Sequence, residues 1–209
     1  MYRNVFRLIV IVLSCSFSFA AISQPVNGSD STLVHGVYLE EPIKISDFSL
    51  ESTQGSFTQK NLTSHWTLMY FGFTRCMHKC PVSFTALQGM DTKLMKVSPG
   101  LKPTELPQVV FVSVDPSRDT MSDLVKFTQH YNAKFIGAKA ELPDLLRLTD
   151  QLRVMFHVVD PGNADYTITH SGDVVVINPN GEAVAFLSYP QSIESLFSDY
   201  SFIVLGSNS

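Results

Sequence analysis

The stretch Trp66 to Pro81, W-T-L-M-Y-F-G-F-T-R-C-M-H-K-C-P, constrains this chain more than any other. Leu68 to Phe71 is an apolar run of strand-forming residues that stops at Gly72 and hands two cysteines, Cys76 and Cys80, to the turn that follows. Proline is accepted in a helix only within its first turn, so the amphipathic segment Val82 to Val97 is expected to start close to Pro81, with Cys80 at its mouth. Both sulfurs then stand at a helix N-terminus, where unsatisfied N–H groups and the macrodipole favour thiolate over thiol.

The pattern on either side predicts an α/β fold. Val109 to Val114 is a second continuous apolar run, suited to a strand buried on both faces, and strand, helix, strand in that order implies parallel pairing. Thr120 to Tyr131 and Glu141 to Leu152 carry apolar residues at helical spacing, and Phe135 to Gly137 reads as a short strand between them. Val174 to Ile177, the turn Asn178-Pro179-Asn180-Gly181, and Ala183 to Leu187 form an antiparallel hairpin, followed by a closing helix around Ser192 to Tyr200. Asp47 to Leu50 with Gly55 and Phe57 adds an N-terminal hairpin. The sum is a thioredoxin-like arrangement, a central mixed sheet with flanking helices and an N-terminal hairpin extension.

The N-terminus is of a different kind. Met1 to Arg7 carries two arginines and no acid, and an apolar stretch runs from Leu8 to Ile22. Those 15 residues fall short of the about 20 needed to span a bilayer, so residues 1–23 are expected to be a secretory signal, with an uncleaved membrane anchor as the variant. A lipoprotein signal ahead of Cys15 is a further variant, opposed by the apolar residues after it. Residues 24–40 are expected to be a flexible lead and 41–205 a single domain. Loss of Arg3 and Arg7 leaves 13 basic against 19 acidic side chains, a net charge of −6. Such a surface is unsuited to nucleic acid.

Cleavage after Cys15 also leaves only Cys76 and Cys80, an even count in an exported chain. A disulfide across three residues closes a very small loop and stabilises little, so stability is a poor reason for the pair. Redox thioredoxins place two residues between their cysteines, and here there are three, Met77, His78 and Lys79. Two thiolates so placed can converge on one soft ion, and thiolate with imidazole suits copper or zinc. Among the histidines, His35 and His65 are most simply solvated, His130 suits the end of its helix, and His157 lies in an apolar run as a core or edge residue. His170 follows the loop Gly162 to Tyr166 and precedes the hairpin strand, a rim position where ligands are commonly bound. Taken alone it is either a structural histidine or a ligand; His78 is either a fourth ligand or a solvent-facing side chain.

Together these residues resemble the Sco/SenC copper-binding proteins that assist cytochrome oxidase assembly. The resemblance is carried by Tyr70-Phe71-Gly72-Phe73-Thr74, Cys76, Cys80-Pro81, Val112-Ser113-Val114-Asp115-Pro116, Arg118-Asp119-Thr120, Asp165-Tyr166, His170-Ser171 and the Asn178 to Gly181 turn. Each fragment is weak alone, and their order over about Asp47 to Phe197 makes the set specific. The resemblance implies that Cys76, Cys80 and His170 bind one copper ion per domain, as Cu(I) or Cu(II), with Asp115 nearby as a supporting or turn-forming residue. It further implies delivery of copper to the binuclear site of cytochrome c oxidase subunit II or another copper-site client, or upkeep of that site's thiols. Periplasmic copper chaperones or thiol reductases would be its other partners, at the periplasm or the outer face of the inner membrane.

The chain departs from the family pattern in places. Met77 and His78 stand where proline and an acid are usual, with Lys79 following, and exchanging an acid for groups able to carry positive charge, His78 and Lys79, is expected to favour the thiolate and alter the redox potential. Thr169 replaces a common Asp, and Gly172 and Asp173 replace apolar residues. The expected function is a non-enzymatic copper carrier. The rival is a thiol-disulfide reductase in which Cys76 attacks and Cys80 resolves.

Overall fold

Thr67 to Gly72 (β4) is buried at every residue, and the rest of the domain is layered on its two faces. The computed structural model describes residues 33–97, 100–163 and 165–206. The expected signal over residues 1–23 lies outside them, as do the expected lead's residues 24–32.

β4 is parallel to Gln108–Ser113 (β5), which is parallel to Ile136–Lys139 (β6). On its other side β4 runs antiparallel to Val174–Ile177 (β9), which forms a hairpin with Glu182–Leu187 (β10). Gly36–Lys44 (β1) closes one edge against β10; the hairpin Ser49–Ser52 (β2) and Gly55–Thr58 (β3) closes the other against β6. This central mixed sheet with flanking helices has the thioredoxin-like form that the strand and helix pattern predicts.

Alternation along β4 sends Leu68 and Tyr70 to one face and Met69 and Phe71 to the other. The first face packs on Lys79–Val97 (α1), Met121–Tyr131 (α2) and Ile193–Gly206 (α4), through Phe84, Leu87, Leu124 and Leu196. The second packs on Leu142–Gln151 (α3) through Leu145 and Leu148, and on the N-terminal hairpin through Leu50 and Phe57. Burial on both faces is why the strand reads as an unbroken apolar run, and each large side chain so buried contributes about 2 kcal/mol. Among the described residues, no helix is long and apolar enough to cross a membrane.

Three expectations need correction. The lead predicted through residue 40 is strand from Gly36 onward, pairing Gly36 with Leu187 and Val37 with Phe186. No residue of β1 is fully buried and its pairing shifts register around Pro42, so its backbone joins the sheet without an apolar pattern to announce it. α1 starts at Lys79 rather than near Val82, which puts Cys80 inside the first turn. α4 runs to Gly206 rather than ending near Tyr200, because Ile203 and Val204 are also buried against the first face.

Candidate metal centre

The loop between β4 and α1 is set before its cysteines arrive. Thr74 donates from its hydroxyl (2.6 Å) and its backbone N–H (3.0 Å) to the carboxylate of Asp119, which also accepts from the Ser113 hydroxyl at 2.6 Å. Asp119 is 1% exposed, so a buried acid beyond β5 holds the start of the cysteine loop. Cys76 follows, half-buried, with its N–H donating to the Phe73 carbonyl. Cys80 is fully buried one turn on, and both are thiols. The Cys80 N–H, one of the free donors at the start of α1, points at the Cys76 sulfur at 3.4 Å. Gly72 lets this happen: a Cβ there would stand 2.6 Å from the Cys80 sulfur.

His170 arrives on a strand, not from a loop at the rim as the sequence suggested. Phe156–Val159 (β7) and Thr167–His170 (β8) form a separate antiparallel pair in which His170 faces Phe156. Residues of β8 alternate exposed and buried, so Thr167 and Thr169 look outward while Ile168 and His170 look in. The imidazole Nε2 reaches 3.8 Å from both sulfurs. Tyr70 and Phe73 meet the ring edge to face, at 5.8 and 6.1 Å between centroids. Among the described residues, Cys76, Cys80 and His170 form the one group of three or more acidic, thiol or imidazole side chains gathered tightly enough to share an ion, all ligand atoms lying within 4.8 Å.

The two thiols are electrostatically unequal. The hydrogen bond from Cys80 holds the Cys76 thiol far below its ordinary range, and His170 and the Cys80 amide work in the same direction against the cost of burial. Cys80 is pushed the other way, by donating to Cys76 and by its burial. The pair therefore keeps one proton, on the inner sulfur, and exposes one nucleophile. Cys76 opens onto a cleft of about 490 Å³ between the cysteine loop and β8, bordered by Phe73, Met77, His78, Tyr166 and Thr169.

A model of the family described as SCO1/SenC matches residues 38–204. This chain belongs to the SCO1/SenC family. It is 29% identical over 194 residues to an SCO2-like protein of Rickettsia felis, spanning 87% of this chain and 89% of that protein. To a mitochondrial SCO1 homolog of Arabidopsis thaliana it is 30% identical over 150 residues, 71% of this chain but only 43% of the relative. The crystal structure of Arabidopsis thaliana ScoI with copper bound superposes with a TM-score of 0.69 at 28% identity, covering 78% of this chain and 98% of that one.

Within this SCO1/SenC chain the departures from the family pattern fall into place unevenly. Met77 is 84% exposed and His78 is exposed, so neither joins the cluster. Thr169 faces away and donates to the His157 carbonyl at 3.4 Å. His157 and His130 are exposed, as is His35, whose Nδ1 meets the Ser188 carbonyl at 3.2 Å. The Lys79 ammonium donates to the carbonyls of His170 (2.8 Å) and Ser171 (3.3 Å). Asp115 braces the β7–β8 pair rather than the cluster: it accepts from Arg118 Nε at 2.6 Å and from the Tyr166 hydroxyl at 2.5 Å. Sequence reasoning missed the strand under His170. The alternation Thr167-Ile168-Thr169-His170 carries a period of two, but over four residues only.

Proposed function

We propose that this chain carries copper, held by Cys76, Cys80 and His170 at one ion per domain. The observation that bears the weight is the convergence of two thiols from one loop and an imidazole 90 residues later onto one spot. Two sulfurs and one nitrogen suit a soft or borderline cation, and the low-proton state of Cys76 leaves one ligand already prepared. Cys80, buried, has to give up its proton on binding.

Support from relatives runs the same way, since the Arabidopsis ScoI structure has copper bound. Membership of the SCO1/SenC family supports delivery to the binuclear copper site of cytochrome c oxidase subunit II, or to another copper-site client, as the use of that copper; copper chaperones or thiol reductases would load or reduce the carrier. The half-exposed Cys76 at the cleft is where a client's ligand would enter. Export to the periplasm or the outer face of the inner membrane rests on Arg3 and Arg7 and the apolar run Leu8 to Ile22 that follows them. That is the compartment where a client copper site of this kind would be met.

A competition titration of the reduced protein with copper and zinc tests the proposal. Copper preference, with thiolate-to-copper charge-transfer bands that vanish in His170→Ala, is the expected result; preference for zinc, which also accepts this donor set, overturns it.

One feature favours a second activity, thiol-disulfide exchange. An accessible low-pKa Cys76 beside a buried protonated Cys80 is the asymmetry an attacking and a resolving thiol need. The Cys76 thiolate would attack a client disulfide, forming a mixed disulfide and releasing one client thiol; Cys80 would then attack the Cys76 sulfur and expel the second client thiol, leaving a reduced client and a Cys76–Cys80 disulfide for an external dithiol to reduce. His170 supports that exchange only through its share in lowering Cys76, whereas it is a ligand in the copper site, so His170→Ala is expected to lower copper affinity while leaving Cys76–Cys80 oxidation possible.

A further inference from the structure

An imidazole that binds metal through one nitrogen is ordinarily oriented by a hydrogen bond from the other, donated to a carbonyl or carboxylate. His170 lacks that device. Its Nδ1 is buried and has no hydrogen-bond partner among the described residues, although Nε2 is aimed at both sulfurs. The edges of Tyr70 and Phe73 restrict the ring plane, but they do not fix how far β8 carries the ring toward the thiols.

Lys79 supplies that constraint from the cysteine loop itself. It opens α1 one residue before Cys80, and its ammonium donates to the backbone carbonyls of His170 and of Ser171, at 2.8 and 3.3 Å. The same ammonium lies 5.3 Å from the centre of the Tyr189 ring. Gly172 leaves the lane for the lysine stem open: its φ is +82°, and a Cβ there would come within 3.2 Å of Lys79 Cδ and 3.3 Å of Tyr189 Cβ. Gln191 Nε2 donates to the Gly172 carbonyl at 2.9 Å, and Asp173 accepts from the Tyr189 N–H at 3.2 Å. The polar residues after His170 are thus the seat of one lysine.

We propose that Lys79 is the positioning residue of this centre, its ammonium clamping the chain at His170 and so holding the imidazole against the two thiols. Sulfur and nitrogen donors are thereby placed from the single stretch Cys76 to Cys80, with no partner among the described residues for the second ring nitrogen. The proposal rests on the three-donor site described above and names what sets its geometry.

The test compares Lys79→Met, Lys79→Arg, Arg75→Met and His170→Ala in the full reduced chain. Copper affinity is measured by competition, and the His170 ring resonances are followed by NMR in metal-free protein. Lys79→Met is expected to weaken copper binding about tenfold and to shift or broaden the ring resonances without metal. Lys79→Arg, which keeps charge and donors, should restore both toward the parent. Arg75→Met removes an exposed charge of the same sign from the same loop and should reproduce neither effect. Unchanged affinity and ring resonances in Lys79→Met, or equal effects from Arg75→Met, overturn the proposal. If His170→Ala itself leaves copper affinity unchanged, the three-donor site fails and the proposal falls with it; if His170→Ala weakens binding while Lys79→Met does not, the site stands and only Lys79's role is lost.

Discussion

Gly72 and Cys80 are in direct contact: the backbone of the last β4 residue leaves 2.6 Å between a hypothetical Cβ and the buried sulfur, too little for any side chain. Strand and helix approach this closely because Cys80 is in the first turn of α1 and points back at the strand end. The glycine is a steric requirement of the site rather than a turn signal, since its backbone does not need the left-handed region.

Gly72→Ala is therefore expected to cost about 1–3 kcal/mol through overpacking. Its effect on the site should exceed its effect on the fold. Chemical denaturation measures the first, and the intensity of the thiolate-to-copper bands measures the second. A variant with parent stability and parent bands would show that Cys80 has room to move.

The unequal thiols give a pH signature in the reduced, metal-free protein. Cys76 is lowered relative to the unfolded chain, so its stabilising contribution is fully present above the unfolded thiol pKa of about 8.5 and is lost as pH falls through the folded value. Cys80 is raised, so its contribution is present below that same pKa and lost at higher pH. Stability contributed by the pair should thus peak near the ordinary thiol pKa. Alkylation of Cys76 by iodoacetamide should be nearly flat between about pH 5 and 8, where a normal thiol speeds up about tenfold per pH unit. A normal rise would contradict the hydrogen-bonded pair.

Asp119 is buried and accepts three hydrogen bonds, two of them from Thr74 at the head of the cysteine loop. Asp119→Ala should lower stability by about 3 kcal/mol, because the Ser113 and Thr74 donors lose their acceptor. Cys76 should also become more uniformly accessible to alkylation as its loop loosens. The urea midpoint and the alkylation rate are to be read together; loss of stability with unchanged Cys76 reactivity would mean that the loop is held elsewhere.

The buried Asp199 of α4 accepts from the N–H groups of Val34 (2.5 Å) and His35 (3.0 Å), just before β1. Asp199→Ala is expected to cost about 1–2 kcal/mol and to speed hydrogen exchange at residues 34–38. Copper binding should not change, because nothing in this latch touches the cluster. A copper defect in Asp199→Ala would reveal coupling between the N-terminal edge and the site.

Much of the architecture is written in local pattern. The apolar runs at β4 and β5 declare strands covered on both faces, and Pro81 just past Cys80 places both thiols at the mouth of a helix. The helical spacing from Thr120 to Tyr131 declares α2, and the structure settles its cap on Thr120, whose side chain and that of Asp123 cap each other's backbone. β1 escapes because an edge strand with a proline and two adjacent glutamates needs only backbone partners, which no periodicity records. β8 escapes because four residues are too few to outweigh the turn residues around them.

By itself the chain's order of residues settled the pair of thiols, their spacing and their place at a helix start, all consequences of steric and hydrogen-bonding rules acting over a few positions. Which histidine joins them, and what holds it there, was decided by tertiary structure. His170 meets Cys80 across 90 residues only because β7–β8 is braced by Asp115, Arg118 and Tyr166 and tied down by Lys79. Those are contacts between distant elements, set by how the layers pack on β4, and no stretch of sequence read on its own contains them.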